Sequence, residues 1–193
     1  MRSILLALLC LTAVALSAQD VKVNRTGESP VEAKFSPGGR IRMDLCSGGI
    51  DLVGTDEPVV RVSYHPPGGD IRVRIEVSGK RADLRLSECP SNNFRARIEL
   101  PRSSALRVRM FAGQLTVDDV TGDKDMELTF GQIIIDAGKP ENYARVTASV
   151  NSGSIDADTF NIHKGGLFRS FDHSGPGNLR MHAHIGAGQI EIR

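Results

Sequence analysis

Gly131-Gln132-Ile133-Ile134-Ile135 and Gly188-Gln189-Ile190-Glu191-Ile192 are two copies of one unit, a glycine followed two and four residues later by aliphatic side chains. The same spacing occurs in Gly48-Gly49-Ile50-Asp51-Leu52, Gly113-Gln114-Leu115-Thr116-Val117 and Gly153-Ser154-Ile155-Asp156-Ala157. Glycine supplies a backbone shape that other residues resist, and the alternation after it turns one side of a strand inward and the other to water. A turn-plus-strand unit that repeats along a chain is the mark of a coil stacked on itself.

Around these units the rest of the chain alternates with period two, as in Ile41-Arg42-Met43-Asp44-Leu45, Ile71-Arg72-Val73-Arg74-Ile75, Phe94-Arg95-Ala96-Arg97-Ile98 and Leu106-Arg107-Val108-Arg109-Met110. Turn residues such as Pro37-Gly38-Gly39, Pro90-Ser91-Asn92-Asn93 and Gly122-Asp123 punctuate the gaps. Two all-β architectures fit, a two-sheet sandwich with hairpins and a solenoid whose successive strands occupy opposite sheets. The spacing favours the solenoid: the units at 113, 131 and 153 are 18 and 22 residues apart, and the 65 residues from 48 to 113 leave room for about three more rungs. Stacking places Leu115, Ile133 and Ile155 in one inward ladder and Gln114, Gln132 and Ser154 in one outward ladder.

The first residues, Met1-Arg2-Ser3, the apolar run Ile4 to Leu16 and the pair Ser17-Ala18, have the three parts of a secretory signal peptide. Cys10 lies inside that run and is discarded with it. No later segment approaches the roughly 18 to 20 apolar residues of a membrane span. The expected product is exported, to the periplasm, the cell envelope or the exterior. The expected organisation is a signal peptide over 1–18, a lead-in over 19–37 and one solenoid domain over 38–193. Without residues 1–18 the charge balance is 23 basic against 23 acidic residues, which gives no support to bulk polyanion binding by net charge. Cys46 and Cys89, both beside turn residues, are either a disulfide, permitted by export, or two separate thiols.

The segment from Phe94 to Asp158, with Leu100-Pro101 closing one strand, then Leu106-Arg107-Val108-Arg109, Phe111-Ala112-Gly113-Gln114-Leu115-Thr116-Val117-Asp118-Asp119-Val120-Thr121-Gly122 and Ser152-Gly153-Ser154-Ile155, resembles the bacterial exported putative-adhesin family with a toastrack-like β-solenoid. The resemblance runs from about Gly38 to the end. It implies a stacked β-coil on an exported or envelope protein, of a family whose biochemical role is undefined. The stretch between Phe160 and Pro176 departs from the even repeat.

Chemistry is sparsely marked. No Gly-x-Ser-x-Gly elbow, phosphate loop or zinc-protease helix occurs. His182 and His184 share a strand face, with Asp172-His173 upstream, but no third ligand stands at a fixed spacing, and neither a metal nor another cofactor is expected. Carboxylates at Asp118-Asp119, Asp123 with Asp125, and Asp156 with Asp158 suit turns and outward strand positions. The alternative use of Asp118, Asp119, Asp156 or Asp158 is carbohydrate-active or metal-dependent catalysis on an outer sheet. The distinctive surface feature is charge: residues 40–110 carry net +4 and residues 111–160 net −6. Arginines recur in pairs at Arg40 and Arg42, Arg72 and Arg74, Arg95 and Arg97, and Arg107 and Arg109. If their strands share a sheet they form a guanidinium ladder suited to an anionic envelope polysaccharide or an acidic protein. The other reading is a soluble face laced with Asp44, Glu76 and Glu99. Nucleic acid is not expected, for want of stacking aromatics among the arginines. The sequence therefore points to a non-enzymatic structural or interaction module, with self-association through exposed end rungs as a further option.

Overall fold

The computed structural model describes residues 20–66 and 69–193; the segment 1–18, expected to be a signal peptide, and Cys10 within it lie outside the described residues. The chain is all-β: among the described residues thirteen strands form one continuous sheet that folds over on itself, a single-domain toastrack-like solenoid. Its last part is built from long strands, β9 (Ala105–Asp118), β10 (Lys124–Ile135), β11 (Tyr143–Ala157), β12 (Ile162–Ser174) and β13 (Leu179–Ile192). Each long strand is a whole rung that bends in the middle, so the expectation that successive strands alternate between sheets does not hold here. The earlier rungs are split in two: β3 (Arg40–Leu45) with β4 (Gly48–Thr55), β7 (Arg81–Ser87) with β8 (Arg95–Pro101), β5 (Val59–His65) with β6 (Arg72–Ser78), and β1 (Val21–Thr26) with β2 (Val31–Lys34). Residues 19–37, expected as a lead-in, thus contribute β1 and β2, which pair with β6 and β5.

The bend explains the repeat. Inward residues are Leu106, Val108 and Met110 before the bend of β9 and Leu115 and Val117 after it, so the inward parity switches from even to odd across Gly113. Met126 and Leu128 against Ile133 and Ile135 repeat the switch in β10. Six glycines line up at this corner in the order Gly48, Gly113, Gly131, Gly188, Gly153, Gly166. At Gly131, φ is 126° and a Cβ would overlap the carbonyl oxygen of Gly113. The corner therefore tolerates no side chain, and the rungs stack backbone to backbone.

Chain order and stacking order differ. β13 inserts between β10 and β11, so the inward ladder is Ile50, Leu115, Ile133, Ile190, Ile155, and Ile190 separates two residues expected to be neighbours. The outward ladder is likewise Gln114, Gln132, Gln189, Ser154. The irregular stretch after Phe160 becomes β12, which runs antiparallel to β11 and closes that end of the stack. Lys164 and Arg169 occupy its inward row, opposite Ile155 and Val150, and donate to the carbonyls of Ser170 and Gly165. Inward charges at a free edge oppose the addition of another strand.

Candidate functional site

On the first half of the sheet, parallel strands β3, β9, β10, β13 and β11 all begin along one border. An open groove of about 890 Å³ follows that border. Arg40, Arg107, Arg145 and Arg180 line it with His182, against Asp123 and Asp125. Asp123 fixes the border by accepting the backbone N–H of Arg180 at 2.8 Å. Arg107 lies 3.4 Å from Asp125, and Arg145 is paired with Asp172. Arg40 and Arg180 have no carboxylate within ion-pair distance among the described residues, so their guanidinium groups are free to meet an external anion.

The sequence marked Arg40 and Arg107 through their paired spacing, but not Arg145, Arg180 or Asp123, which only the stacking order brings together. The condition for one guanidinium ladder, that all the paired arginines share a face of the sheet, is met by some of the pairs and not by others. Arg40, Arg42, Arg72, Arg74, Arg107 and Arg109 stand on the first half of the sheet, whereas Arg95 and Arg97 belong to β8 on the other half. Acids interleave with them: Arg74 meets Glu76 at 3.2 Å, Arg97 meets Glu99 at 3.2 Å and Arg109 meets Glu127 at 3.0 Å. Arg61 gathers Glu32, Glu57 and Glu99, which together push its pKa further up, while Arg61 and then Arg97 hold the Glu99 carboxyl below its ordinary value.

The other singled-out groups are dispersed. His182 Nδ1 is 2.9 Å from the Thr147 hydroxyl and His184 Nδ1 is 2.8 Å from that of Ser149. No group of three or more His, Cys, Asp or Glu side chains positioned for a metal occurs among the described residues. Asp156 accepts from Gln189 at 2.9 Å and from Ser154 at 3.2 Å. Burial, then the nearby Asp136, Asp51 and Asp119, pushes the Asp118 carboxyl up. Cys46 and Cys89 are joined in a disulfide with Cα atoms 6.1 Å apart.

Under the groove lies a buried lysine. Lys124 occupies an inward row between Leu106 and Met181 and is 2% exposed. The alternation Lys124-x-Met126-x-Leu128 is the signal that placed it inward. Its ammonium donates to Gly122 O at 3.2 Å and to the Tyr143 hydroxyl at 3.1 Å, which in turn donates to Ala137 O at 3.1 Å. Burial drives the Lys124 pKa down to about 8, against the opposing pull of Asp136 and Asp123, and drives Tyr143 up to about 12. Below pH 8 the folded state carries the whole cost of a buried charge; stability therefore rises from pH 8 towards the unfolded lysine value of about 10.5. Tyr143 acts oppositely, because above pH 10 the unfolded phenol ionises while the buried one holds its proton, so stability falls from about pH 10 to 12. The lysine contribution is on the order of 3 kcal/mol. Lys124→Met is expected to raise stability at pH 7 by about 1–3 kcal/mol and to flatten the rise between pH 8 and 10. Urea unfolding at pH 7 and pH 9.5 checks this, and an unchanged pH slope in the variant would refute it.

No family model matches the chain, and no curated protein matches it. Among solved structures, one described as a "putative cell adhesion protein" from Clostridium sporogenes is 14% identical, with TM-score 0.48 over 85% of this chain and 99% of that one. A "putative adhesin" from Bacteroides fragilis is 8% identical, with TM-score 0.34 over 93% and 100% of the two chains. A "Putative lipid binding protein" from Parabacteroides distasonis is 11% identical, with TM-score 0.30 over 88% and 73%. These are likenesses of chain path at low identity. No helix among the described residues is long and apolar enough to cross a membrane.

Proposed function

We propose that the chain is an exported, non-enzymatic interaction module that holds an anionic envelope polysaccharide along the arginine groove. The observation that carries this reading is the border row of Arg40, Arg180 and Arg145 across five rungs, with Arg107 one outward position further along β9 and with Arg40 and Arg180 free of carboxylate partners among the described residues. Strands stack about 4.8 Å apart, so the row offers cations at intervals along a shallow trough that an extended polyanion can follow. Arginine suits the task because its planar fork pairs carboxylate or phosphate oxygens two at a time.

The test uses polygalacturonate as the acidic polymer and dextran as the neutral one. The chain is expected to be retained by the first at low salt, released at about 0.5 M salt through screening, and ignored by the second. Arg40→Ser together with Arg180→Ser should weaken retention at least tenfold, since a hydrogen bond to a charged group is worth about 1.5–3 kcal/mol. Arg95→Ser with Arg97→Ser, on the other half of the sheet, should leave it unchanged. Equal retention of the Arg40/Arg180 variant would refute the site.

A further inference from the structure

Among the described residues the exposed large apolar side chains are Phe111, Phe130, Leu167 and Phe168, and all stand on the glycine corner. Phe130 shares a cross-strand row with Ala112, Ala187, Ser152 and Leu167, so small residues fill the interval between the aromatic pair and the tip. Phe111 and Phe130 meet edge to face with ring centroids 5.5 Å apart. At the tip, Leu167 is 64% and Phe168 80% exposed. Phe168 also has φ of 50°, in the left-handed region that a bulky side chain avoids. A strained backbone that thrusts a phenylalanine into solvent is an outlier of the kind that accompanies function.

The charges beside the tip select the occupant. Residues 159–171 contain no Asp or Glu, and of their basic residues His163 lies against Asp156 and Asp158, which leaves Lys164 and Arg169. Lys164 and Arg169 donate only to backbone carbonyls, Ser170 O and Gly165 O, and neither has a carboxylate partner among the described residues. An apolar ridge ending in unneutralised cations complements a surface with an apolar interior and an anionic face. A second copy stacked on β12 fits poorly, because Lys164 and Arg169 would be driven into the core row of the joined coil.

We infer that the glycine corner is a membrane-contact ridge that lays Phe111, Phe130, Leu167 and Phe168 into the headgroup boundary of an anionic lipid surface, with the exposed Lys164 and Arg169 of the edge strand β12 adding electrostatic attraction to that surface. Interfacial binding of this kind scales with the apolar area buried plus attraction to anionic lipid. The ridge is separate from the arginine groove, none of whose lining residues it uses.

Co-sedimentation with vesicles of phosphatidylglycerol and phosphatidylcholine, against vesicles of phosphatidylcholine alone, tests the ridge. The chain is expected to pellet at least tenfold more strongly with the anionic vesicles. Leu167→Ser with Phe168→Ser, both at exposed positions, should reduce the partition coefficient at least tenfold, and Lys164→Gln with Arg169→Gln should remove the preference for anionic lipid. The Arg40/Arg180 groove variant should pellet as the parent does, which separates this surface from the polysaccharide groove. No pelleting of the parent, or pelleting unchanged in the Leu167/Phe168 variant, would overturn the inference. A concentration-dependent dimer that is lost in that same variant would overturn it in favour of a second copy.

Discussion

Gly131→Ala is expected to destabilise the chain by about 4 kcal/mol or more, a large part of the 5–15 kcal/mol that holds a domain folded. Two costs coincide at this position. The backbone has φ of 126°, which an L side chain rarely adopts, and the added methyl would overlap the Gly113 carbonyl oxygen, which belongs to the neighbouring rung. Relief requires the rungs to separate at the corner, and that breaks the ladder between β9 and β10 on both halves of the sheet. Gly138→Ala is the matched comparison: φ is 64° there, with nothing within 4 Å of the added Cβ, so only the conformational cost of about 1 kcal/mol remains. Urea midpoints and soluble yield of the two variants check the contrast. Similar midpoints would show that the corner can open without penalty.

The same corner shows what could be read from sequence and what could not. Period-two alternation and the recurring glycine unit give strands and stacking, because both are local consequences of side-chain direction and backbone shape. Stacking order is a non-local property. Gly131-Gln132-Ile133 and Gly188-Gln189-Ile190 lie on adjacent rungs although 57 residues separate them, and the unit at Gly153, nearer in sequence, stacks beyond Gly188. Near-identical units fit one another in any order, so their pattern cannot say that β13 enters between β10 and β11.

The groove inherits that ambiguity. Arg180 stands level with Arg145 and lines one groove with Arg40 and Arg107 only because of the insertion, and alternation cannot distinguish the half of the sheet that carries Arg95 and Arg97 from the half that carries Arg72 and Arg74. Lys124, by contrast, is legible from the sequence. Its phase with Met126 and Leu128 assigns it to the core, where a lysine requires polar partners, and Gly122 O and the Tyr143 hydroxyl are those partners.

Reduction of the Cys46–Cys89 disulfide is expected to loosen one end of the coil before the other. The bond joins the corner of the β3/β4 rung, beside the ladder glycine Gly48, to the link between β7 and β8, one rung further along the stack and beyond the end of the glycine ladder. It closes a loop spanning 43 positions, for which loop-closure entropy alone gives about 4 kcal/mol. A coil whose rungs touch only their neighbours need not unfold as a unit. The rungs made of β5/β6 and β1/β2 hang on the stack through β7 and β8. Those beyond β9 are held by the glycine corner and by long continuous strands. Hydrogen exchange of the Cys46→Ser/Cys89→Ser variant should therefore show protection lost over residues 21–101 and kept over 105–192. Uniform loss across both regions would mean that the coil melts as one cooperative body, and no loss in either would mean that the bond contributes little to stability.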